Sequence, residues 1–246
     1  MKSANNPSSF GERTITLNLH TIILIALAVL LTNLVNYALT GKPNNVEFEY
    51  VDKGLPVNGL YLLELATPYL QDVVAFESAV KKVSGKLDVP PEWLMSVMYS
   101  ESKFDAGIAN HRGSGAVGLI QWMPATAKDF GTTTAEIRKM NHVQQLNYVY
   151  KYLNRVRTKY RDFETLTDLY LAILYPRALE GDFCYALYAT PSTAYKQNSG
   201  LDENEDGIVT VKDIDSRMKR IFPTAYMLDK HGNSGHDRNL SFAGYK

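Results

Sequence analysis

Apolar residues recur at helical spacing in separate segments of this 246-residue chain, and this pattern constrains the fold more than any other feature. Residues 67–86 and 141–160 each carry a stripe of this kind. Side chains spaced three and four residues apart share one face of a helix, which can then be buried in a core. No alternating strand pattern of useful length is present. The sequence therefore predicts an all-α domain, with further helices starting at Pro91 and Pro124 and over residues 166–175 and 180–189.

A carboxylate interrupts the apolar face of the helix that follows Val89-Pro90-Pro91. Leu94, Val97 and Met98 lie on that face, and Glu101 takes its next position. One explanation is a buried Glu that is satisfied by a base or by backbone donors. The other is a general acid, because burial disfavours the charged form and raises the pKa of a carboxyl group toward neutral pH.

Residues 105–119 are predicted to form a glycine-rich loop. The end of this loop overlaps the sequence GAVGLIQWMPATA, residues 115–127. Together with Glu101-Ser102 and Phe104, this run resembles the soluble lytic transglycosylase family, whose fold is lysozyme-like. That family pairs a Glu-Ser step on a helix with a downstream Gly-x-x-Gly-Leu-x-Gln-x-Met-Pro-x-Thr-Ala run. The resemblance covers roughly Phe76 to Ala189. The matching positions are Gly115, Gly118, Leu119, Gln121, Met123, Pro124, Thr126 and Ala127.

The resemblance implies a reaction and a set of site residues. Such enzymes cut the β-1,4 bond between N-acetylmuramic acid and N-acetylglucosamine in peptidoglycan, and by this comparison Glu101 is the catalytic residue. One acid suffices if it also acts as a base on the muramoyl 6-hydroxyl to give a 1,6-anhydro product, whereas ordinary glycosidases need two carboxylates. Asp105 is interpreted as a loop or capping residue. The implied substrate-binding residues are Ser102, Gly118, Gln121, Met123 and Tyr175.

One later motif departs from the family pattern. The family has an Ala-x-Tyr-Asn-Ala-Gly segment near its site, and here Tyr175 matches the Tyr while Pro176 and Arg177 replace Asn and Ala. The loss of the Asn amide keeps two alternatives open. One is a hydrolytic lysozyme of the same fold, and the other is a non-catalytic, membrane-anchored structural or peptidoglycan-binding protein.

Residues 202–213 have the spacing of a calcium-binding loop. Alternate oxygen ligands around a sharp glycine turn, here Gly207, are what a hard cation such as Ca²⁺ requires. The preceding residues 197–200 do not look like an entering helix, so the prediction is a single EF-hand-like or dockerin-type loop with a structural role. The predicted ligands are Asp202, Asn204, Asp206, Ile208 through its carbonyl group, Thr210 and Asp213.

The N-terminal region contains an apolar stretch over residues 17–39. A transmembrane helix needs about 20 mostly apolar residues, and this stretch reaches that length if its polar ends are included. A cleaved signal peptide and a buried core helix are alternatives. We favour an uncleaved anchor because no clear small-x-small cleavage site follows. Lys2 and Arg13 precede the helix, which places the N-terminus in the cytoplasm and the catalytic domain outside it.

These segments predict a domain organisation. Residues 1–16 form a flexible N-terminus, 17–39 a transmembrane helix, 40–66 a linker, 67–223 the lysozyme-like domain with its calcium-type loop, and 224–246 a flexible tail. The expected partners are peptidoglycan glycan strands and a lipid membrane. Similar lytic domains are carried by bacteriophage particles that open a local hole for genome entry, so virion or envelope-complex proteins, and the membrane of a membrane-containing virion, are alternatives.

The composition of the chain argues against a nucleic-acid partner and does not decide whether the protein is exported. The formal net charge is zero, with 26 basic and 26 acidic residues, which argues against a nucleic-acid partner. The chain has one cysteine, Cys184. An intramolecular disulfide is therefore impossible, and cysteine usage does not test export. The aromatic neighbours of Cys184 predict a small core residue.

Overall fold

The computed structural model of the protein describes residues 59–110 and 113–227. The predicted flexible N-terminus, transmembrane helix and most of the linker lie outside these residues. Within the described part, no helix combines the length and the apolar character that crossing a membrane requires.

Helices dominate the described residues, and the bounds of the long helices between residues 73 and 174 follow the sequence pattern closely. The α-helices are α1 (Leu63–Ala66), α2 (Val73–Leu87), α3 (Pro91–Ser102), α4 (Pro124–Asp129), α5 (Thr134–Ile137), α6 (His142–Lys159), α7 (Leu166–Leu174), α8 (Thr193–Asn198) and α9 (Val211–Ile221). Short 3₁₀ turns cover Thr67–Tyr69, Pro176–Glu180, Ser199–Leu201 and Thr224–Tyr226.

The starts of these helices are fixed by residues that satisfy the free amide groups of the first turn. Pro91 begins α3, at a position where no intrahelical amide donor is needed. Asn141 and Gln144 form a reciprocal capping box at the start of α6. Boxes of the same kind begin α7 and α9. Each box satisfies two amide groups that would otherwise lack partners.

One apolar core holds α2, α3, α6 and α7 together. Phe76 of α2, Leu94 and Met98 of α3, Leu153 of α6 and Leu169 of α7 are all buried in it. These residues lie on the apolar stripes that the sequence pattern predicted. Burial of such side chains contributes about 1.5–3 kcal/mol each, so the core fixes the position of the end of α3.

A small antiparallel sheet departs from the all-α prediction. Strand β1 (Ala186–Ala189) pairs with β2 (Ile208–Thr210), and Tyr188 lies opposite Val209 with an irregularity before it. The predicted helix over residues 180–189 is therefore wrong. Cys184, which precedes β1, is exposed and not a core residue.

The domain extends further at both ends than the sequence pattern indicated. Leu60, Tyr61 and Leu62, which fall in the predicted linker, are buried in the core. In the predicted tail, Met227 is buried and the Tyr226 carbonyl accepts a hydrogen bond from the indole nitrogen of Trp93 at 3.0 Å. Both ends therefore pack as parts of the domain.

Candidate active site

Glu101 lies in the last turn of α3, next to the core residues of that helix. Ser102 is the last helical residue, and Lys103 follows in a left-handed backbone conformation with φ of 53°. Phe104 is also left-handed, with φ of 68°. Two successive non-glycine residues in this region are strained, and strain of this kind is concentrated at functional sites. The chain therefore turns sharply just after Glu101, and Asp105 lies in the loop, as predicted.

The environment of Glu101 favours its protonated form. The residue is half-buried, and desolvation of its carboxyl group raises its pKa from 4.5 to about 7. The positive charge of Lys103 and a hydrogen bond with the hydroxyl group of Tyr170 act in the opposite direction, because both favour the carboxylate. The net pKa lets Glu101 hold a proton near neutral pH and also release it.

Tyr170 comes from the buried face of α7. The capping box of Thr165 and Asp168 begins this helix, and the Asp168 carboxylate also pairs with Arg161 at 2.9 Å. Burial and the neighbouring Glu101 raise the pKa of Tyr170, so its hydroxyl group stays protonated. The sequence analysis did not identify Tyr170, because a tyrosine within the apolar run LYLAIL looks like a packing residue.

Two cationic side chains, Lys103 and Arg217, act on Glu101 and Tyr170. Lys103 Nζ is 3.9 Å from the centre of the Tyr99 ring. Arg217 of α9 donates to the carbonyl oxygen of Gly200 at 3.1 Å and to Glu203 at 3.4 Å. Burial and the charge of Arg217 lower the pKa of Lys103, while Glu101 partly offsets this effect. The C-terminal helix α9 therefore contributes to the electrostatic field of the site.

Ser102 does not line the site, contrary to the prediction that it binds the substrate. Its side chain is 2% exposed, and its hydroxyl group donates to the carbonyl oxygens of Met98 at 3.0 Å and Leu119 at 3.2 Å. A side chain buried in this way cannot contact a glycan. Ser102 instead ties the end of α3 to the glycine-rich loop, so that it positions Glu101 from behind.

A glycine is required at position 118 because the buried side-chain amide of Gln145 lies against it. The φ of Gly118 is 73°, and a Cβ atom here would lie 2.5 Å from Oε1 of Gln145. Gln145 Oε1 accepts from the Leu119 amide at 2.9 Å, while Nε2 donates to the carbonyl oxygens of Ala106 at 2.6 Å and Ile137 at 2.9 Å. The glycine therefore makes room for Gln145. Neither Gln145 nor its role was visible in the sequence pattern.

The other predicted residues of this loop are accessible. Gln121 is half-buried and left-handed, with φ of 52°, and its Nε2 donates to the Gly118 carbonyl at 3.2 Å. Met123 is 46% exposed and directly precedes α4. Both side chains are accessible, and their contact with a substrate stays a prediction.

Tyr175 directly follows α7 and makes different contacts from Tyr170. Its ring lies 6.3 Å from that of Tyr185 and 5.8 Å from that of Tyr188, between ring centres. The tyrosine that hydrogen-bonds Glu101 is therefore Tyr170, five residues earlier, while Tyr175 belongs to an aromatic cluster beside the sheet.

The predicted calcium loop lies between two helices. α8 and a 3₁₀ turn precede it and α9 follows it, so the expectation that no helix enters the loop is wrong. Gly207 has φ of 88°, and its amide donates to Asp202 Oδ2 at 2.9 Å. Asp202 is 7% exposed, and its Oδ1 is buried without a hydrogen-bond partner. Hydrogen bonds from Tyr195 and from loop amides lower the pKa of Asp202, which keeps it ionised.

The remaining predicted ligands are engaged with the protein. Asn204 donates to Asp206 at 2.8 Å, and Asp206 accepts from the Ile208 amide at 2.9 Å. Thr210 and Asp213 form the capping box of α9. Over residues 59–110 and 113–227, no three His, Cys, Asp or Glu side chains are grouped as a metal cluster. The turn of the loop is thus formed, and apart from Asp202 Oδ1 its carboxylates accept hydrogen bonds from backbone and side-chain donors of the protein.

Comparison with known families matches the site to one domain type. A family model described as Transglycosylase SLT domain matches residues 78–175. The matched span contains α3 with Glu101, the loop with Gly118 and Gln121, and α7 with Tyr170 and Tyr175. The sheet, the calcium-type loop and α9 follow it. Residues 78–175 therefore form a transglycosylase SLT domain, of the lysozyme-like lytic transglycosylase family that the motifs indicated, and the substrate implied by this domain is peptidoglycan.

Proposed function

We propose that this protein cleaves the β-1,4 bond between N-acetylmuramic acid and N-acetylglucosamine as a lytic transglycosylase, with Glu101 as the catalytic residue. The observation that carries the proposal is the half-buried Glu101 at the strained end of α3, where desolvation raises its pKa to about 7. A carboxylic acid that is protonated near neutral pH can act as a general acid.

In the proposed reaction, Glu101 acts twice. Its carboxylic acid first donates a proton to the glycosidic oxygen, so that the bond from this oxygen to the anomeric carbon of the muramoyl residue breaks. The carboxylate then accepts the proton of the muramoyl 6-hydroxyl, whose oxygen bonds to that anomeric carbon. The products are a free 4-hydroxyl on N-acetylglucosamine and a 1,6-anhydro-muramoyl end, and Glu101 returns to its protonated state.

Tyr170 and Lys103 support the carboxylate between these two steps. The Tyr170 hydroxyl and the Lys103 charge both favour the ionised form of Glu101. Desolvation opposes ionisation, so the two protonation states are close in free energy near pH 7. A group that must give and then regain a proton works best under this balance.

Mass analysis of digested peptidoglycan tests the reaction. The wild-type protein should release fragments with 1,6-anhydro-muramoyl ends, and Glu101→Gln should lower the rate by about 10²–10⁴-fold, because the substitution removes general acid–base catalysis. Reducing muramic acid ends would show the hydrolytic alternative. No fragments from either protein would support the non-catalytic alternative and defeat the proposal.

We also propose that residues 202–213 bind Ca²⁺ as a structural ion. The formed Gly207 turn, the two flanking helices and the buried, ionised Asp202 with an unpartnered Oδ1 support this. Asp202, Asn204, Asp206, Asp213, Thr210 and the Ile208 carbonyl are the oxygen donors that would hold the ion. The ion would supply positive charge to the loop and take no part in the reaction.

Thermal unfolding with Ca²⁺ and with a chelator tests the site. Ca²⁺ should raise the Tm of the wild-type protein, since an ion that binds only the folded state stabilises it. Asp202→Ala should abolish this increase, and Lys212→Ala, in the same loop, should keep it. An unchanged Tm in the wild-type protein would remove the site.

We further propose that residues 17–39 anchor the protein in a membrane with the catalytic domain outside the cytoplasm. The apolar composition of this stretch supports the proposal. Fractionation of expressing cells should find the full chain in the membrane, and a chain lacking residues 17–39 should be released. Equal fractionation of both would contradict the anchor. Mass spectrometry of purified phage particles distinguishes the virion from the bacterial envelope.

A further inference from the structure

Three half-buried tyrosines lie together beside the small sheet. Tyr175 follows α7, Tyr185 precedes β1 and Tyr188 lies within β1. The Tyr175 ring packs near both others, tilted relative to Tyr185 and at 89° to Tyr188. We name these three residues the tyrosine cluster.

The tyrosine cluster lies next to the helix that carries Tyr170, the hydrogen-bond partner of Glu101. Tyr175 directly follows α7, the helix that carries Tyr170. The Tyr188 ring lies 5.8 Å from that of Tyr175, between ring centres, so the cluster begins at the end of the helix whose Tyr170 side chain hydrogen-bonds Glu101. The cluster therefore lies between the end of α7 and the sheet.

The backbone holds the rings of the cluster in place. The Tyr185 carbonyl accepts from the Val211 amide at 3.1 Å, and Tyr188 is paired with Val209 across the sheet. Gly181 lets the Tyr185 ring approach the backbone, since a Cβ atom there would lie 2.5 Å from Tyr185. Rings that are already ordered lose little entropy when a ligand binds.

Core packing alone does not explain this arrangement. The large aromatic residues of the core, such as Phe76, Trp93 and Phe104, are fully buried, whereas all three tyrosines of the cluster keep part of their surface exposed. Such rings offer an apolar face and a polar hydroxyl group, which together suit a sugar ring. Tyr185 and Tyr188 also lie beyond the matched domain, which ends at residue 175.

We propose that the tyrosine cluster is an additional glycan subsite, in which an N-acetylhexosamine ring of the strand stacks on Tyr188 and Tyr185. The subsite extends the substrate contacts from Glu101 along the sheet. The inference rests on the proposed function, because it assumes that a glycan strand occupies the surface at Glu101.

Binding of a chito-hexaose probe to the Glu101→Gln protein tests the subsite without turnover. Replacing Tyr188 or Tyr185 by Leu in this background should raise the Kd by about tenfold, because an aromatic contact is lost while an apolar side chain remains. Tyr188→Phe should bind within about twofold of the parent, since it keeps the ring. Tyr150→Leu is the matched control: this half-buried tyrosine packs against Lys86 of α2 and should leave the Kd unchanged.

Each outcome decides the inference. An unchanged Kd in both Leu variants overturns it. An equal loss of affinity in Tyr150→Leu also overturns it. So does a loss of affinity in Tyr188→Phe that is as large as the loss in Tyr188→Leu. The Tm of each variant checks that it is folded, and Tyr185→Leu still tests stacking if Tyr188→Leu unfolds. If the wild-type protein releases no peptidoglycan fragments, the proposed function fails; if it does and the Leu variants bind normally, only the subsite fails.

Discussion

Three effects, which do not all act in the same direction, set the pKa of Glu101. Desolvation raises its pKa, whereas Lys103 and Tyr170 lower it. Desolvation is the largest effect, so the pKa lies near neutral pH and not near the value of an exposed carboxyl group. Changing either partner should therefore move the pH dependence of the reaction without removing the acid.

The pH dependence of kcat/KM tests this balance. Activity should fall with a midpoint near pH 7 as pH rises, because the general acid loses its proton. Tyr170→Phe removes a hydrogen bond that favours the carboxylate, so the midpoint should move to higher pH. Tyr152→Phe is the control, since its hydroxyl group donates to the Ala172 carbonyl at 2.8 Å. A midpoint that moves to lower pH in Tyr170→Phe would contradict the assigned role.

Glu101 should also make the domain less stable as pH rises. The folded state holds its proton more tightly than the unfolded state, whose pKa is about 4.5, so stability falls between this value and about pH 7. Glu101→Gln removes the cost and should raise the free energy of unfolding by about 2–3 kcal/mol at pH 8. At pH 4 the gain should disappear. Urea unfolding at both pH values measures it, and equal stabilities at pH 8 would refute the desolvation.

Without the family motif, individual site residues could be predicted only where the sequence breaks a pattern. Glu101 interrupts an apolar face, and this made it visible. Ser102 follows it in the family motif, but its hydroxyl group points into the protein, because the left-handed turn at Lys103 ends the helix there. Tyr170 looked like a core residue, since its hydroxyl group meets Glu101 only after α3 and α7 have packed.

At the level of elements, α6 organises the loops around the active site. His142, in its first turn, binds the Phe104 carbonyl through Nε2 at 2.7 Å. Gln145, one turn later, holds Leu119 and Ala106. The chain segments just after Glu101 and just before Gln121 are therefore fastened to the same end of one helix. The loops keep their shape because the helix provides their hydrogen-bond partners.

Substitution of Gly118 should disturb this arrangement. Gly118→Ala places a Cβ atom 2.5 Å from Gln145, so this amide must move and its buried partners lose hydrogen bonds. We expect a loss of about 1–3 kcal/mol in the free energy of unfolding beyond the backbone cost. Gly131→Ala is the control, because Gly131 also has a positive φ of 70° but nothing lies within 4 Å of an added Cβ atom. Similar losses in both variants would refute the role of Gln145.

The long helices could be predicted, whereas the short helices α1, α5 and α8 and the sheet could not. α6 and α7 carry apolar stripes and capping residues that define them locally. In β1, a strand of four residues, only Leu187 is buried, and the pairing is irregular near Tyr188. The strand exists because β2 pairs with it, and no local pattern records that pairing.

For the whole molecule, the two ends of the described domain close on each other around Trp93. The Tyr226 ring lies 4.5 Å from that of Tyr61, between ring centres, and its carbonyl accepts the Trp93 indole proton. These contacts join the first buried segment, residues 60–62, to the last one. The fold thus depends on residues well outside the matched span 78–175.

Truncation measures this dependence. A chain that ends at Phe222 loses the Tyr226 carbonyl and the buried Met227, which leaves the indole of Trp93 without its partner. We expect its free energy of unfolding to be lower by about 2–4 kcal/mol than that of a chain ending at Met227. Tyr226→Ala keeps the carbonyl group and should lose less. Equal stability of the two truncated chains would show that this closure is unnecessary.

The exposed thiol of Cys184 has a practical consequence. It is the single cysteine of the chain and directly precedes Tyr185. An environment-sensitive dye coupled through a maleimide would therefore attach at one known place, with no engineered mutation. A change in its emission on addition of a sugar chain would show, in real time, that the proposed subsite beside the sheet is reached.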